Sequence, residues 1–573
     1  MDNTGQTIPV ENGAEAFLEV LNANKIDYIF MNPGTSSGSV QEALAKYQAL
    51  GKKAPGVITS LHEFVALSAA HGYFMVSGKP QVVLVHLALG TLQLGGALLN
   101  AQRNRAGVVI CATRVPYGRE GNKAGMPAFP LHWIHEEADQ AAPVRDYVKW
   151  EYELRSVDTM QEVVQRALRL SASAPTGATY LVLPQDLLGE RISDVYIPPV
   201  KRHRAASAPG LTPDLLERIA DTLIQAENPL IITGYSGRNP DSVAPLVKLA
   251  ETLGVRVVSS QSFMNFPSTH PLYTGFGGGQ LMRDADVLLT VDSDVPYVGG
   301  RNIIRPDAKL IHLDIDTAKL NLPMWGFAAD ILAQCDSATA FSQLTQAILS
   351  RASSEAIARF KKRFDERKAE SSQTEQPDMA EKAKMKPVSA DWLCYCINEA
   401  IDAETILVGE TVTNSFPVQR YIDRTVPGTV FNNQGASLGW SLGAALGAKL
   451  ARPESTVVCI AGDGTFIFGS PIAAFWAAKK YNAPFLCVVL NNGRYQAPRM
   501  GVQAADGGQS YSEKTGVWVG SEIQPSPDYA QVCRACGGYG RVIEEPGDVP
   551  QALEEALKEV RQGKPAVLDV RIQ

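Results

Sequence analysis

The sequence predicts an α/β protein of three doubly wound domains, each built on a parallel sheet. Three observations predict this. Short apolar runs alternate with helical segments along most of the chain, the pattern of strand–helix–strand units covered on both faces. The 573 residues are too many for one ordinary domain and suit three or four of roughly 150 residues each. Two polar stretches, 196–209 and 352–388, divide the apolar material into three blocks. The expected domains are 1–190, 205–350 and 389–573, with 352–388 as a charged linker.

In the first block, apolar residues over 14–24 have helical spacing, and 28–31 is a short strand ending in Asn32-Pro33-Gly34. Buried strands are expected at 57–60, 82–87 and 108–112, with helices at 63–75 and 92–103 between them. The stretch 196–209 (YIPPVKRHRAASAP) is basic and Pro-containing, and reads as a linker. The second block has strand candidates at 229–233, 255–259, 287–291 and 310–314. Residues 352–388 are so charged that they fit either a solvated helix or a flexible connector. Strands at 406–409, 456–461, 485–491 and 566–570 complete the third block.

Hydrophobic residues make up 45% and charged residues 20%, which excludes a wholly disordered chain. The net charge of −7, from 53 Lys+Arg and 60 Asp+Glu, argues against nucleic acid as the main partner. The eight cysteines sit mostly in apolar runs and read as buried thiols of a reducing compartment. Cys533 and Cys536 have redox or zinc spacing, but no second pair accompanies them. The N-terminus is polar with no signal-peptide pattern, and the longest apolar stretches, such as 81–90, are far too short to span a membrane. A cytoplasmic protein with no membrane partner is expected.

The strongest chemical signal lies in the third block. A strand runs into Gly462-Asp463-Gly464, and after a further 26 residues a second strand ends in Asn491-Asn492-Gly493. Parallel strands bring both ends to one edge, where ligands bind. A carboxylate and an amide oxygen there suit Mg²⁺, which commonly bridges protein to phosphate. Gly462 and Gly464 let the backbone approach a diphosphate. Alone, a Gly-Asp-Gly is a plain turn; the strand context and the Asn pair make it more.

On this motif the chain resembles the thiamine-diphosphate-dependent decarboxylase and acetohydroxyacid synthase superfamily, along almost its whole length. The family order of pyrimidine-binding, middle and diphosphate-binding domains is implied for the three blocks. The resemblance implies Asp463, Asn492 and the Arg494 carbonyl as Mg²⁺ ligands, and Gly464 and Thr465 as diphosphate contacts beside Gly462. It implies that Glu63, in Ser60-Leu61-His62-Glu63, shares a proton with N1′ of the cofactor's aminopyrimidine. Read alone, a Glu in a first helical turn is a surface residue that complements the dipole. Leu438, in Gly435-Ala436-Ser437-Leu438-Gly439, resembles the residue that wedges the cofactor into its bent shape. Gly409-Glu410-Thr411 resembles a cofactor-contacting segment, with Thr411 as the contact.

Within the superfamily, several details lean towards benzoylformate-decarboxylase-like members. Asn32-Pro33-Gly34-Thr35 resembles their turn, with Thr35 in place of a substrate-contacting Ser. Val85-His86-Leu87 resembles the segment carrying their active-site His, at matching spacing from Glu63, so a proton-transfer role falls to His86. Standing alone, a His between Val85 and Leu87 is more often a core residue. A second active-site His of those enzymes has no equivalent in 292–301 (DSDVPYVGGR). His135-Glu136 lies near where synthases and lyases place a Gln beside the cofactor, which makes His135 a substrate-side candidate.

The expected activity is cleavage of a 2-oxo acid, with aldehyde release or acyloin formation with an aldehyde acceptor. The first alternative is an acetolactate-synthase-like transferase, whose middle domain often holds FAD; flavin therefore stays open. The second is a non-catalytic cofactor-binding homologue. A nicotinamide dehydrogenase fits poorly, since no G-x-G-x-x-G follows an early strand. A homodimer or homotetramer is implied, with the site shared between two subunits.

Overall fold

The computed structural model describes residues 5–118, 130–259, 263–276, 278–298, 304–372, 378–505 and 507–573. It forms two compact units. The first combines Met1–Ala206 with Asn433–Val542 and Glu555–Val570; the second combines Ser207–Asn432 with Ile543–Glu554 and Arg571–Gln573.

The N-terminal part of the first unit holds eight strands: β1 (Gln6–Pro9), β2 (Tyr28–Met31), β3 (Gly56–Thr59), β4 (Gln81–Val85), β5 (Val108–Arg114), β6 (Trp150–Glu153), β7 (Thr179–Pro184) and β8 (Asp194–Ile197). Six of them form a parallel sheet in the order β3-β2-β4-β5-β7-β6. The chain leaves β2 towards β3 and then returns to β4 on the other side. The C-terminal ends of β2 and β4 therefore flank the point where strand order reverses, the usual ligand crevice of such sheets. One face of the sheet buries Ile29, Val82, Val109 and Leu181 with Phe17, Leu21 and Val164 from the helices Gly13–Ala23 and Met160–Ala172.

The second unit holds β9 (Pro229–Thr233), β10 (Arg256–Ser259), β11 (Val287–Val291), β12 (Lys309–Asp314) and β13 (Ile331–Gln334), parallel in the order β10-β9-β11-β12-β13. It also holds β14 (Ile406–Glu410) and β15 (Val430–Asn432), a parallel pair. At the ends of β9, β11 and β12, the buried Lys319 ammonium donates to the Tyr235 hydroxyl and Asp314 at 2.7 Å and to Asp294 at 2.8 Å.

The C-terminal part of the first unit carries β16 (Val457–Gly462), β17 (Leu486–Asn491), β18 (Tyr539–Ile543) and β19 (Ala566–Arg571), in the order β16-β17-β19-β18. Strands β16 and β17 are parallel. The helix Trp440–Ala451, which precedes β16, packs on the helix Glu63–Ser77, which follows β3. Their backbones meet closely, with Gly72 against Ala444 and Gly443 against Ser68. The fully buried His71 accepts a 2.9 Å hydrogen bond from the Trp440 indole, and burial pushes its pKa down to about 3.

Several elements depart from expectation. The single helix over 92–103 is two helices, Leu87–Gln93 and Gly96–Arg103, broken at Gly95, whose φ is +46°. The linker over 196–209 starts inside β8, which pairs antiparallel with β1. Strands β6 and β7 were not foreseen from the pattern. The charged stretch 352–388 contains the helix Ser354–Ser372, and Ala356, Phe360, Arg363 and Arg367 at helical spacing line its buried face. Arg363 donates to the Leu253 carbonyl at 2.9 Å and the Glu227 carbonyl at 3.0 Å, so part of its charge caps a neighbouring helix end. Residues 299–301 of the 292–301 stretch lie outside the described residues. Among the described residues no helix is long and apolar enough to cross a membrane. All eight cysteines are free.

Candidate active site

Two strand edges of the first unit carry the candidate residues. At the first, β2 ends in Asn32-Pro33-Gly34 and enters a single turn of 3₁₀ helix, Thr35–Ser37. Gly34 is required by a close approach: a Cβ there would collide with the His86 ring. Thr35 is exposed, whereas Ser36 is 1% exposed and its hydroxyl lies 2.6 Å from His86 Nδ1. Ser36 also hydrogen-bonds the hydroxyl of Thr113, a fully buried residue of β5.

His86 follows β4 directly and is the N-cap residue of the helix Leu87–Gln93. Leu87 takes a left-handed φ of +51°, a conformation that costs on the order of 1–3 kcal/mol for a side chain of this kind. Two hydrogen bonds hold it: the Leu87 N–H donates to Thr113 Oγ1 at 3.2 Å, and the Gly90 N–H donates to the His86 carbonyl at 2.6 Å. The half-buried His86 has its pKa lowered, first by burial and then by His135, whose ring lies edge-on 6.3 Å away. His86 is therefore neutral near pH 7. The pKa of His132 is lowered by the same two causes. Arg114, at the end of β5, anchors the His135-Glu136 segment through an ion pair with Glu136 and a 2.7 Å hydrogen bond to the Glu137 carbonyl.

Glu63 opens the helix Glu63–Ser77, with His62 Nδ1 accepting from the Phe64 N–H at 3.1 Å. Glu63 is 7% exposed and has no hydrogen-bond or ion-pair partner among the described residues. Its carboxylate faces the His86 turn: a Cβ built on Gly90 would lie 3.2 Å from Glu63 Oε1. The fold thus brings Glu63 and the helix behind His86 to one place. Leu438 is half-buried, and the segment before it is pinned to the N-terminal part of the same unit. Asn100 Nδ2 donates to the Ser437 carbonyl at 2.8 Å, and the Ser437 N–H returns to Asn100 Oδ1 at 3.1 Å.

The second edge lies at the ends of β16 and β17. Gly462 closes β16, and Asp463, Gly464 and Thr465 start the short helix Asp463–Phe468 rather than a free turn. Asp463 is 4% exposed and accepts from the Gly464 N–H at 2.9 Å and the Gly493 N–H at 2.8 Å. Burial raises its pKa against the lowering effect of these backbone donors. Gly464 is needed where the Tyr495 ring packs on it, while the space beside Gly462 is open to 3.8 Å. Of the two asparagines, Asn491 is structural, donating to Asp569 at 2.8 Å. Asn492 is half-buried and its Oδ1 accepts from the Arg494 N–H at 3.1 Å. Thr411 lies in the second unit, buried after β14.

The donors at the second edge fit a hard divalent cation: a buried carboxylate with no ion pair among the described residues, an amide oxygen and a main-chain carbonyl. Among the described residues no group of three or more His, Cys, Asp or Glu could hold a metal, Cys533 and Cys536 included. The buried, unpartnered Glu63 likewise fits a proton-sharing heterocycle. The residues that pattern reading passed over are Ser36 and Thr113. The Ser36 contact to His86 crosses 50 residues of sequence, and the contact between the two hydroxyls 77.

Comparison with known proteins agrees with this layout. Three family models match: "Thiamine pyrophosphate enzyme, N-terminal TPP binding domain" over residues 11–142, its central domain over 216–341 and its C-terminal TPP binding domain over 411–570. An acetolactate synthase of Bacillus subtilis is 24% identical over 98% of this chain and 93% of its own length. A benzoylformate decarboxylase of Pseudomonas aeruginosa is 25% identical over 84% of this chain and 86% of its own. The structure of a thiamine diphosphate-dependent 4-hydroxybenzoylformate decarboxylase from Rhodococcus jostii RHA1 superposes with a TM-score of 0.81, at 23% identity, covering 98% of this chain and 99% of that one. With three domain matches in family order and three parallel-sheet domains behind them, this chain belongs to the thiamine pyrophosphate enzymes, among the decarboxylase and acetolactate-synthase-like members.

Proposed function

We propose that the chain removes the carboxyl group of a 2-oxo acid, using thiamine diphosphate and Mg²⁺. One observation carries this reading: a buried, unpartnered Glu63 lies against the turn that presents a neutral, half-buried His86 at a strand-order reversal. When bound, the cofactor supplies the electron sink for breaking the carboxyl–carbonyl bond. Asp463, Asn492 and the Arg494 carbonyl would hold Mg²⁺, with Gly462, Gly464 and Thr465 along the diphosphate. Glu63 would share a proton with N1′ of the aminopyrimidine, while Leu438 supports the rings. His86 handles the proton on the substrate side, with Thr35 and His135 along the same edge. Low polarity favours loss of a carboxylate charge, so a dry pocket assists the step.

The working form is a homodimer or homotetramer. Supporting this, apolar side chains stand exposed near both edges: Leu61 at 48%, Leu89 at 45%, Phe468 at 56% and Ile472 at 61%. A second copy would cover them.

The second reading is a carboligating, acetolactate-synthase-like transferase. It is favoured by the Arg114-anchored His135-Glu136 segment and by the full-length likeness to an acetolactate synthase. The test is incubation with thiamine diphosphate, Mg²⁺ and a panel of 2-oxo acids, following CO₂ and identifying the carbon product. Aldehyde supports the lyase, a joined hydroxyketone the transferase. CO₂ from no 2-oxo acid would reject both. Flavin absorbance in the purified protein would point to the transferase.

A further inference from the structure

We propose that Ser36 and Thr113 are positioning residues that fix neutral His86 in its Nε2–H form, so that it meets the substrate as a hydrogen-bond donor. The inference rests on His86 acting at the substrate side. It follows from counting protons along the chain of contacts. Thr113 Oγ1 accepts the Leu87 N–H at 3.2 Å. Its own proton then has two destinations, the Ser36 hydroxyl or the Val85 carbonyl, the latter at 3.4 Å.

If Thr113 donates to Ser36, the Ser36 proton turns to His86 Nδ1 at 2.6 Å, and the ring proton must sit on Nε2. If Thr113 donates to Val85, Ser36 donates to Thr113 and accepts from Nδ1–H, leaving Nε2 bare. A hydroxyl has one proton, so no third arrangement puts a proton in both Ser36 contacts and also gives each hydroxyl proton an acceptor. Both arrangements use the two Ser36 contacts, and only the second also depends on the 3.4 Å bond to Val85, at the outer limit of geometry. Ser36 and Thr113 are 1% and 0% exposed, so water does not replace either partner. Nδ1 is committed to Ser36, which leaves Nε2 as the nitrogen for a ligand. A neutral imidazole N–H suits a carboxylate or carbonyl oxygen of a 2-oxo acid. The two arrangements carry the same charge and differ only in which ring nitrogen bears the proton, exchanged with solvent.

The test is ¹⁵N NMR of the full-length protein with labelled histidine, without cofactor, at a pH where His86 is neutral; His86→Gln assigns its signals. The expected result is the Nε2–H form in the unaltered protein, a mixed population in Thr113→Val and in Ser36→Ala, and return to Nε2–H in Thr113→Ser. In the loaded enzyme, Thr113→Val should raise KM for the 2-oxo acid several-fold with kcat within about twofold. An Nδ1–H form in the unaltered protein, or an unchanged one in Thr113→Val, would overturn the proposal. The unaltered protein alone decides it should either variant fold poorly. Absence of any 2-oxo acid turnover would instead count against the proposed function, since the NMR result is independent of activity.

Discussion

Two strand edges of one unit hold their reactive groups by different means. At the ends of β16 and β17, the Asp463 carboxylate is held by main-chain N–H groups of Gly464 and Gly493. At the ends of β2 and β4, the His86 ring is held by side chains, with Ser36 and then Thr113 behind it. The difference is one of chemical kind. Every non-proline residue brings a backbone donor, so Gly464 next to Asp463 and Gly493 30 residues on serve without any particular side chain. Hydroxyl donors must be delivered by topology, and one substitution removes them.

Changes at four positions sharpen or break this contrast. Glu63→Gln should lower turnover by roughly 10²–10⁴-fold with unchanged circular dichroism, since its carboxylate has no described partner to lose. Normal turnover would remove Glu63 from the chemistry. Asp463→Ala should weaken thiamine diphosphate binding in the presence of Mg²⁺ by about a hundredfold, read by calorimetry. Asp463→Asn should fall between, because its amide oxygen still accepts one backbone N–H; equal affinity in all three would mean the backbone edge holds no metal.

Gly34→Ala should displace the His86 ring and slow turnover about tenfold to a hundredfold, leaving cofactor affinity intact. Loss of affinity as well would show that the two edges are not separately built. The last change acts on stability rather than turnover, behind both edges, where His71 joins the helices Glu63–Ser77 and Trp440–Ala451. Its folded pKa of about 3 lies below the ordinary 6.5, so the unfolded chain takes up the proton first. Its stabilising contribution is full above pH 6.5 and is lost as pH falls from 6.5 towards 3. Melting temperature followed over that window should decline, and the decline should be shallower in His71→Phe.

The same contrast explains what could be read from the chain beforehand. The three sheets were legible because apolar strands such as 82–87 and 287–291 are continuous runs. Gly462-Asp463-Gly464 and Asn491-Asn492 were legible because their spacing is local, although the helix starting at Asp463 was not. Strand β7 was not foreseen, although all six of its residues are buried. The helix Ser354–Ser372 is one of the two readings the charged stretch allows, but its buried face was hidden by charge: two of the residues on it are arginines, which donate to distant carbonyls. Thr35 stood out by its place in the turn, yet Ser36 beside it makes the contact to His86, a choice set by the direction in which the turn enters its helix. Thr113 was invisible, since nothing near β5 marks it as the neighbour of a turn 77 residues earlier.

Under the proposed function, the two strand edges hold magnesium-bound thiamine diphosphate. Calorimetric titration of the purified protein with thiamine diphosphate, with Mg²⁺ and then with a chelator, tests it most directly. Saturable uptake that needs the metal and disappears in Asp463→Ala is the expected result. Uptake indifferent to both the metal and Asp463, or no uptake at all, would contradict it.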